Sequence, residues 1–265
     1  VNSSNKAVKI AIVGKYVELQ DSYLSVKESL IHAGIFNETE IQIEWINSEE
    51  IKSENVKNIF EGIDGIIVPG GFDKRGTQGM IETCKYAREH KVPYFGLCLG
   101  MQIMVIEAAR NLLGYTESNS TEFDETTPYP VIDLMPEQLK SLHKGGSMRL
   151  GLYDCNILDG TKTKEIYKSS LISERHRHRY EVNNKFVNEF EKLGLVTSGT
   201  NPESDLVEIM EYIDHKFMIG VQFHPEFLST PLNPHPLFVE FVRTAMNSDQ
   251  SALDSNVVKN SKILD

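Results

Sequence analysis

The chain has 265 residues, of which 40% are apolar and 25% charged, and its net charge is −11. This composition predicts one sheet-based globular domain, and the acidic balance argues against a nucleic-acid partner. The sequence has no run of about 18 apolar residues, which argues against a membrane span. Three cysteines without C-x-x-C spacing favour a reduced, cytoplasmic location.

The first half of the sequence alternates strand and helix patterns. The predicted strands are short apolar or alternating runs that end at turn residues, and they cover 8–13, 41–46, 63–68 and 93–97. The predicted helices have apolar residues at helical spacing, and they cover 21–35, 77–90 and a segment ending at about 113. This β-α-β-α order predicts an α/β fold, doubly wound, with a largely parallel central sheet flanked by helices.

The second half is less regular and predicts additional strands rather than further βα units. Residues 115–147 are rich in Ser, Thr, Glu and Pro and predict surface loops. The later elements are predicted strands at 179–182, 195–198, 206–212 and 217–223, and a helix at 236–246. We expect one domain over 8–247, a linker or remnant of a longer chain at 1–7, and a disordered tail at 248–265.

Cys98 is the strongest functional signal. It lies between Gly96 and Gly100, where an apolar strand pattern passes into a helical one. This arrangement is typical of a nucleophile elbow with cysteine in place of serine, because the flanking glycines permit a sharp, strained turn. The N-terminus of the following helix favours the thiolate form of a thiol. The pattern therefore predicts an enzyme that attacks an acyl group.

A base for this thiol is predicted at the end of the strand 217–223. His224 follows the strand, Pro225 directs the chain out of the sheet, and Glu226 comes next. The carboxylate can accept a hydrogen bond from one imidazole nitrogen and leave the other to face the sulfur. A strand-end histidine satisfied by backbone groups is the alternative, and it loses weight beside a cysteine elbow.

Acyl chemistry also needs donors for an oxyanion. The segment 69–72, Pro-Gly-Gly-Phe, follows a predicted buried strand and offers N–H groups at Gly70 and Gly71, and Leu99 offers the amide after the nucleophile. A plain tight turn is the alternative reading of this segment. Neither a G-x-G-x-x-G nor a P-loop motif occurs in the sequence, so we predict no nucleotide site of those types.

Residues 175–179 read Arg-His-Arg-His-Arg and have three readings. Alternation along a strand would place Arg175, Arg177 and Arg179 on one face, which suits carboxylate or phosphate recognition, and we favour this reading. A merely solvated strand is the second. Zinc bound by His176 and His178 is the third, and it lacks a matching pair of further ligands.

These motifs together resemble class I glutamine amidotransferases, and further segments resemble the glutaminase domains of CTP synthases. Cys98 in Gly-Leu-Cys-Leu-Gly-Met-Gln and the downstream His-Pro-Glu carry the first resemblance. The segments that carry the second are 14–16, 21–23, 69–72, 75–77, 119–123, 148–151, 174–180 and 223–227. The similarity covers nearly all of residues 8–246.

The resemblance implies a role for each matching position. Cys98 would attack the side-chain amide of L-glutamine, His224 would pass a proton to the departing ammonia, and Glu226 would orient His224. The amides of Gly71 and Leu99 would hold the oxyanion. The remaining positions would bind glutamine, with Glu122 on its ammonium group and Arg179 on its carboxylate; they are Gly70, Phe72, Gln102, Glu122, Arg179 and Tyr180.

The resemblance also implies partners that this chain does not contain. A separate N-terminal amidoligase domain would use the ammonia, ATP, Mg²⁺ and UTP to make CTP, in a protein expected to form homotetramers and able to form filaments. GTP would activate the first step through the segments that hold Arg75 and Arg149. No cofactor or metal is expected in this domain.

Two positions depart from the family's pattern, since Asp73 stands where glycine is usual and Gln78 where glutamate is usual. Asp73 adds negative charge and restricts the backbone beside the oxyanion loop.

Two other functions remain as alternatives: an elbow-type esterase or peptidase with a cysteine nucleophile, and a non-catalytic assembly module. A comparison of the turnover of p-nitrophenyl esters with the turnover of glutamine would distinguish an esterase or peptidase from a glutaminase.

Overall fold

The computed structural model describes residues 7–17, 20–134 and 148–247, so residues 1–6 and 248–265, for which we expect a linker and a tail, lie outside the described residues. The strands in these ranges are β1 (Val8–Gly14), β2 (Ile41–Asn47), β3 (Gly65–Val68), β4 (Tyr94–Leu97), β5 (Asn119–Ser120), β6 (Pro130–Leu134), β7 (Arg149–Ile157), β8 (Leu171–His178), β9 (Tyr180–Val182), β10 (Leu195–Thr200), β11 (Val207–Tyr212) and β12 (Met218–Val221). The α-helices are α1 (Leu24–Phe36), α2 (Val56–Ile59), α3 (Thr77–His90), α4 (Leu99–Asn111), α5 (Lys162–Tyr167), α6 (Val187–Glu191) and α7 (Pro236–Met246).

Nine of these strands form one sheet in the order β2-β1-β3-β4-β12-β11-β10-β7-β8. The first five in this order are parallel, and from β12 outwards each strand pairs antiparallel with the next. The predicted α/β class with a central, largely parallel sheet and additional later strands is therefore confirmed. A second, small sheet joins β5, β6 and β9.

Both faces of the parallel half are covered, as a doubly wound sheet requires. Along β1, Ala11 and Val13 belong to the core cluster on one face, and Ile10 and Ile12 belong to the cluster on the other. Helices α3 and α4 contribute to the first cluster, and α1 and α7 contribute to the second. These strands are buried on both sides, which explains their continuous apolar runs.

Several sequence-based boundaries need correction. The helix predicted from residue 21 begins at Leu24, because Gln20–Tyr23 forms a 3-10 turn. Of the segment 115–147, predicted to be loops, residues 135–147 lie outside the described residues, and the remainder contains the short strands β5 and β6, which pair with each other. The helix predicted over 236–246 is confirmed, and His235 caps it by accepting a hydrogen bond from the N–H of Leu237.

No helix in the described ranges is both long and apolar enough to cross a membrane.

Candidate active site

Cys98 occupies a strained turn between β4 and α4, with φ of 50° and ψ of −99°. A positive φ is uncommon for any residue with a side chain, and such strain is concentrated at functional sites. The neighbouring glycines make the turn possible. A Cβ atom at Gly96 would lie 2.6 Å from the Gly100 carbonyl oxygen, and one at Gly100 would lie 2.1 Å from the Val68 carbonyl oxygen. The predicted elbow is therefore present in the backbone.

The sheet brings the predicted base to the same place. Strand β12 pairs in parallel with β4, with Val221 opposite Leu97, and the N–H of Cys98 donates to the Val221 carbonyl at 2.7 Å. Both chains leave the sheet at this edge, so His224 follows β12 where Cys98 follows β4. Pro225 opens a 3-10 turn that returns Glu226, whose Oε1 lies 2.8 Å from Nδ1 of His224.

The charge on His224 is set by its two neighbours. Burial by itself would lower the pKa of His224, but the nearby Cys98 and the Glu226 carboxylate raise it to about 10. Within the described residues, Nε2 of His224 has no partner in hydrogen-bond geometry, so it is free to exchange a proton with a reacting group. The arrangement favours an imidazolium beside the sulfur at neutral pH.

A cavity of about 460 Å³ is lined by Cys98. Its lining includes Glu122 and Arg179, one charged group of each sign, as a zwitterionic amino acid requires. It brings together all but one of the positions expected to bind glutamine, and it adds three that the sequence did not single out for this role, Met148, Arg177 and His178. Burial raises the pKa of Glu122, which accepts a hydrogen bond from the N–H of Asp73 at 3.1 Å.

Cys98 also lines a second cavity of about 460 Å³, which adjoins the first and contains the remaining position, Gly70. Its lining includes His224, Glu226 and Phe227. Gly70 lies so close to the imidazole that a Cβ atom there would be 2.8 Å from Cε1 of His224. Cys98 thus lines both the cavity that contains Glu122 and Arg179 and the cavity that contains His224.

The predicted oxyanion donors lie at the same junction. Leu99 is in the first turn of α4, where backbone N–H groups have no partner within the helix. Gly71 lines both cavities beside Cys98. Its loop is held by a buried lysine that sequence reasoning left without a role, since Nζ of Lys15 donates to the Phe72 carbonyl at 2.8 Å and to the Asp73 carbonyl. The signal in the sequence was a lysine directly after the glycine that ends β1.

Asp73 adopts a φ of 75°, a conformation that favours glycine, so the aspartate at this position carries backbone strain. Its carboxylate accepts a hydrogen bond from the N–H of Arg75, which partly compensates. Arg75 itself is half-exposed and pairs with Glu49 at 3.2 Å. The other departure, Gln78, contacts Arg110 and Glu82 on the surface.

Arg149 belongs to a ring of five buried ionisable side chains, which we call the buried charge ring. It pairs with Glu208 at 2.8 Å and with Glu181 at 3.4 Å. His176 lies 3.5 Å from Glu208, His178 lies 3.3 Å from Glu181, and the two histidines are 2.8 Å apart. Burial raises the pKa of Glu208 to about 7 and lowers that of His176 to about 3.

The arginine face predicted for residues 175–179 is present. Arg175 and Arg177 are exposed along β8, and His176 and His178 are buried in alternation with them. Arg177 and Arg179 reach the first cavity. In the described part of the chain, no group of three or more His, Cys, Asp or Glu side chains is arranged to hold a metal ion.

Gln222 is the other side chain at the site that sequence reasoning left without a role. It is fully buried, and its Nε2 lies 3.6 Å from Sγ of Cys98. Its Oε1 accepts a hydrogen bond from Nε2 of Gln102 at 3.2 Å. No local pattern signals this contact, because it depends on the pairing of β4 with β12.

Comparison with known proteins identifies the family. Residues 18–244 match the class-I glutamine amidotransferase family. A CTP synthase of Caldanaerobacter subterraneus is 55% identical over 240 residues, which are 91% of this chain and 45% of the relative. One of Flavobacterium johnsoniae is 52% identical over 248 residues, 94% of this chain and 46% of the relative. The chain thus spans less than half the length of these relatives.

Solved structures agree. The acivicin-bound glutaminase domain of the Trypanosoma brucei CTP synthase is 38% identical, with a TM-score of 0.87, covering 92% of this chain and 95% of that one. A Thermotoga maritima glutamine amidotransferase, 10% identical with a TM-score of 0.51 over 91% of this chain and 99% of that one, shares the fold. The chain belongs to the class-I glutamine amidotransferase family, and within it to the glutaminase domains of CTP synthases.

Proposed function

We propose that this chain hydrolyses L-glutamine to glutamate and ammonia through a γ-glutamyl thioester on Cys98. The observation that carries the proposal is the position of the elbow cysteine. It lies beside a His224–Glu226 pair and opens onto a cavity with Glu122 and Arg179 in its lining. The carboxylate and the guanidinium would bind the ammonium and carboxylate of the substrate, with Gln102, Phe72 and Tyr180 completing the cavity.

The chemistry follows from the groups around the sulfur. The Cys98 thiolate attacks the side-chain carbonyl carbon, and the N–H groups of Gly71 and Leu99 stabilise the oxyanion. As the C–N bond breaks, the His224 imidazolium gives its proton to the departing nitrogen, and ammonia leaves. Neutral His224 then takes a proton from water, which attacks the thioester and releases glutamate and the thiolate.

The two cavities support a division of roles. The cavity that contains the charged pair suits the amino acid end of the substrate, and the cavity that contains His224 would receive the departing nitrogen. The two cavities share Gly71, Phe72, Cys98 and Arg177 in their linings, so ammonia released there would lie in a different cavity from the bound glutamate. This separation would suit an enzyme that passes ammonia onward.

For the whole protein we propose the role of the relatives, which are named CTP synthases. A further domain, on the part of the relatives that this chain does not match, would use the ammonia with ATP, Mg²⁺ and UTP. GTP activation near Arg75 and a homotetrameric assembly remain predictions. Arg149 is buried and paired at both ends of its guanidinium, so a role for it in that activation would be indirect.

A glutaminase assay tests the proposal. The chain should release ammonia from glutamine, the Cys98→Ala variant should not, and an electrophilic glutamine analogue should label Cys98 in the wild type alone. The assay is repeated with GTP and with the part of a CTP synthase relative that this chain does not match. Absence of both labelling and ammonia release under every condition refutes the proposal, and turnover of p-nitrophenyl esters without turnover of glutamine would favour an esterase.

A further inference from the structure

Gln222 is placed so that its side chain contacts the nucleophile directly. It directly follows β12, is fully buried, and its backbone N–H donates to the Glu208 carbonyl at 2.8 Å. This bond fixes the main chain on one side of the residue. The side chain then extends to Cys98, where the carboxamide nitrogen lies 3.6 Å from Sγ.

The hydrogen bonds around Gln222 fix which end of its carboxamide faces the sulfur. The Tyr180 carbonyl oxygen can only accept, so the Gln102 atom that lies 3.0 Å from it must be the amide nitrogen. That nitrogen has a second hydrogen, and it lies 3.2 Å from the carboxamide of Gln222, which must therefore present its oxygen. The remaining atom, the Nε2 donor of Gln222, faces Cys98.

We propose that Gln222 donates a hydrogen bond to the sulfur of Cys98 and thereby stabilises its thiolate form. A thiolate accepts more strongly than a neutral thiol, since hydrogen bonds to a charged group are about twice as strong as neutral ones. The donor therefore favours the ionised nucleophile. This inference rests on the proposed role of Cys98 as the nucleophile.

The same bonds connect the nucleophile to the substrate cavity. Gln102 lines that cavity, and its nitrogen holds Gln222 in the orientation that presents a donor to Cys98. A change at Gln102 would release the carboxamide of Gln222 to rotate. We therefore assign Gln102 a second task beside contact with the substrate, which is to position Gln222.

The alternative is that Gln222 only fills space and satisfies its own polar atoms. Alkylation of Cys98 by iodoacetamide across a pH series separates the two, because only the thiolate reacts and no glutamine is needed. Peptide mapping by mass spectrometry distinguishes Cys98, which lines both cavities, from Cys84 and Cys155, which have no exposed surface. The variants are Gln222→Met, which removes the donor at similar volume, and Gln222→Glu, which keeps an acceptor for Gln102.

We expect the midpoint of the pH profile of Cys98 alkylation to move upward in both variants, so that alkylation at pH values below the wild-type midpoint is about tenfold slower, as the loss of one hydrogen bond to a charged group predicts. The control is Gln42→Met on the exposed edge strand β2, which should react like the wild type. Circular dichroism confirms that each protein is folded. If Gln222→Met does not fold, Gln222→Glu and Gln102→Met, which releases the Gln222 amide, carry the test.

An alkylation profile unchanged from the wild type, to within about twofold, in every folded variant at Gln222 or Gln102 overturns the inference. The outcome is independent of the glutaminase assay. A shifted profile in a chain that does not hydrolyse glutamine would support the role of Gln222 and refute the proposed function. An unchanged profile in a chain that does hydrolyse glutamine would refute the role of Gln222 and support the proposed function.

Discussion

Replacement of Glu208 by Gln should change how the stability of this domain depends on pH. Glu208 lies on β11 with no exposed surface, and burial raises its pKa from the ordinary value of 4.5 to about 7 even though Arg149 lies 2.8 Å away. The folded protein therefore keeps this proton up to about pH 7, and the unfolded chain loses it above about pH 4.5. Between these values the folded state binds more protons.

The sign and size of the effect follow from proton linkage. Where the folded state binds more protons, the free energy of unfolding falls as the pH rises. One proton corresponds to about 1.4 kcal/mol per pH unit. The titration of Glu208 should therefore lower the free energy of unfolding of the wild type by roughly 3 kcal/mol as the pH rises from 4.5 to 7. Glutamine does not titrate. Relative to the wild type, the Glu208→Gln variant should gain about 3 kcal/mol over the same window.

Urea unfolding of both proteins at several pH values across this window measures the difference directly. His176, whose pKa is lowered to about 3, gives the wild type an opposite slope, since stability there is lost as the pH falls below about 6.5. His176 is present in both proteins, and because burial and the nearby Arg149 lower its pKa, its contribution should be nearly the same in the two. Glu54→Gln on the surface is the control and should follow the wild type. Parallel stability curves for the Glu208→Gln variant and the wild type would refute the reasoning.

Three further predictions concern the active site. Glu226→Gln should lower the pKa of His224 from about 10, because the carboxylate is one of the groups that raise it, and kcat/KM for glutamine should fall by about 10²–10⁴. Gly70→Ala should displace the imidazole, since its Cβ would lie 2.8 Å from the ring and 3.5 Å from Cβ of Cys98; we expect a loss of about 10² in kcat with little change in melting temperature. Asp73→Gly should be more stable to urea than Asp73→Ala by about 1 kcal/mol, because φ is 75° there.

Each of these results has a contradicting outcome. A wild-type pH profile in Glu226→Gln would mean that the carboxylate does not act on His224. Full activity in Gly70→Ala, with Gln42→Ala on the exposed edge strand β2 as the control, would show that the loop moves freely. Equal stability of the two Asp73 variants would show that the strain is relieved elsewhere.

The parallel half of the fold could be predicted because its signals are local. The apolar run of β1 and the amphipathic pattern of α3 are each contained in one segment of sequence, and α7 is preceded by a capping residue. The elbow is equally local, since Gly96, Cys98 and Gly100 are neighbours. Such segments reveal their structure without any knowledge of their tertiary contacts.

Strand β7 could not be predicted because its pattern is inverted. Arg149 is buried, and Leu150 and Leu152 on the opposite face are exposed. The reason is tertiary, since the carboxylates that pair with Arg149 come from β9 and β11, far away in the sequence. The contact between Gln222 and Cys98 likewise arises only when β4 and β12 lie side by side.

The backbone ladder between β4 and β12 has a wider consequence. It sets the spacing of Cys98 and His224 through main-chain hydrogen bonds, such as the one from Cys98 to Val221, and not through side chains that a given sequence must supply. Geometry of this kind survives extensive substitution. It offers a physical reason why the Thermotoga maritima protein retains the architecture with only one residue in ten unchanged.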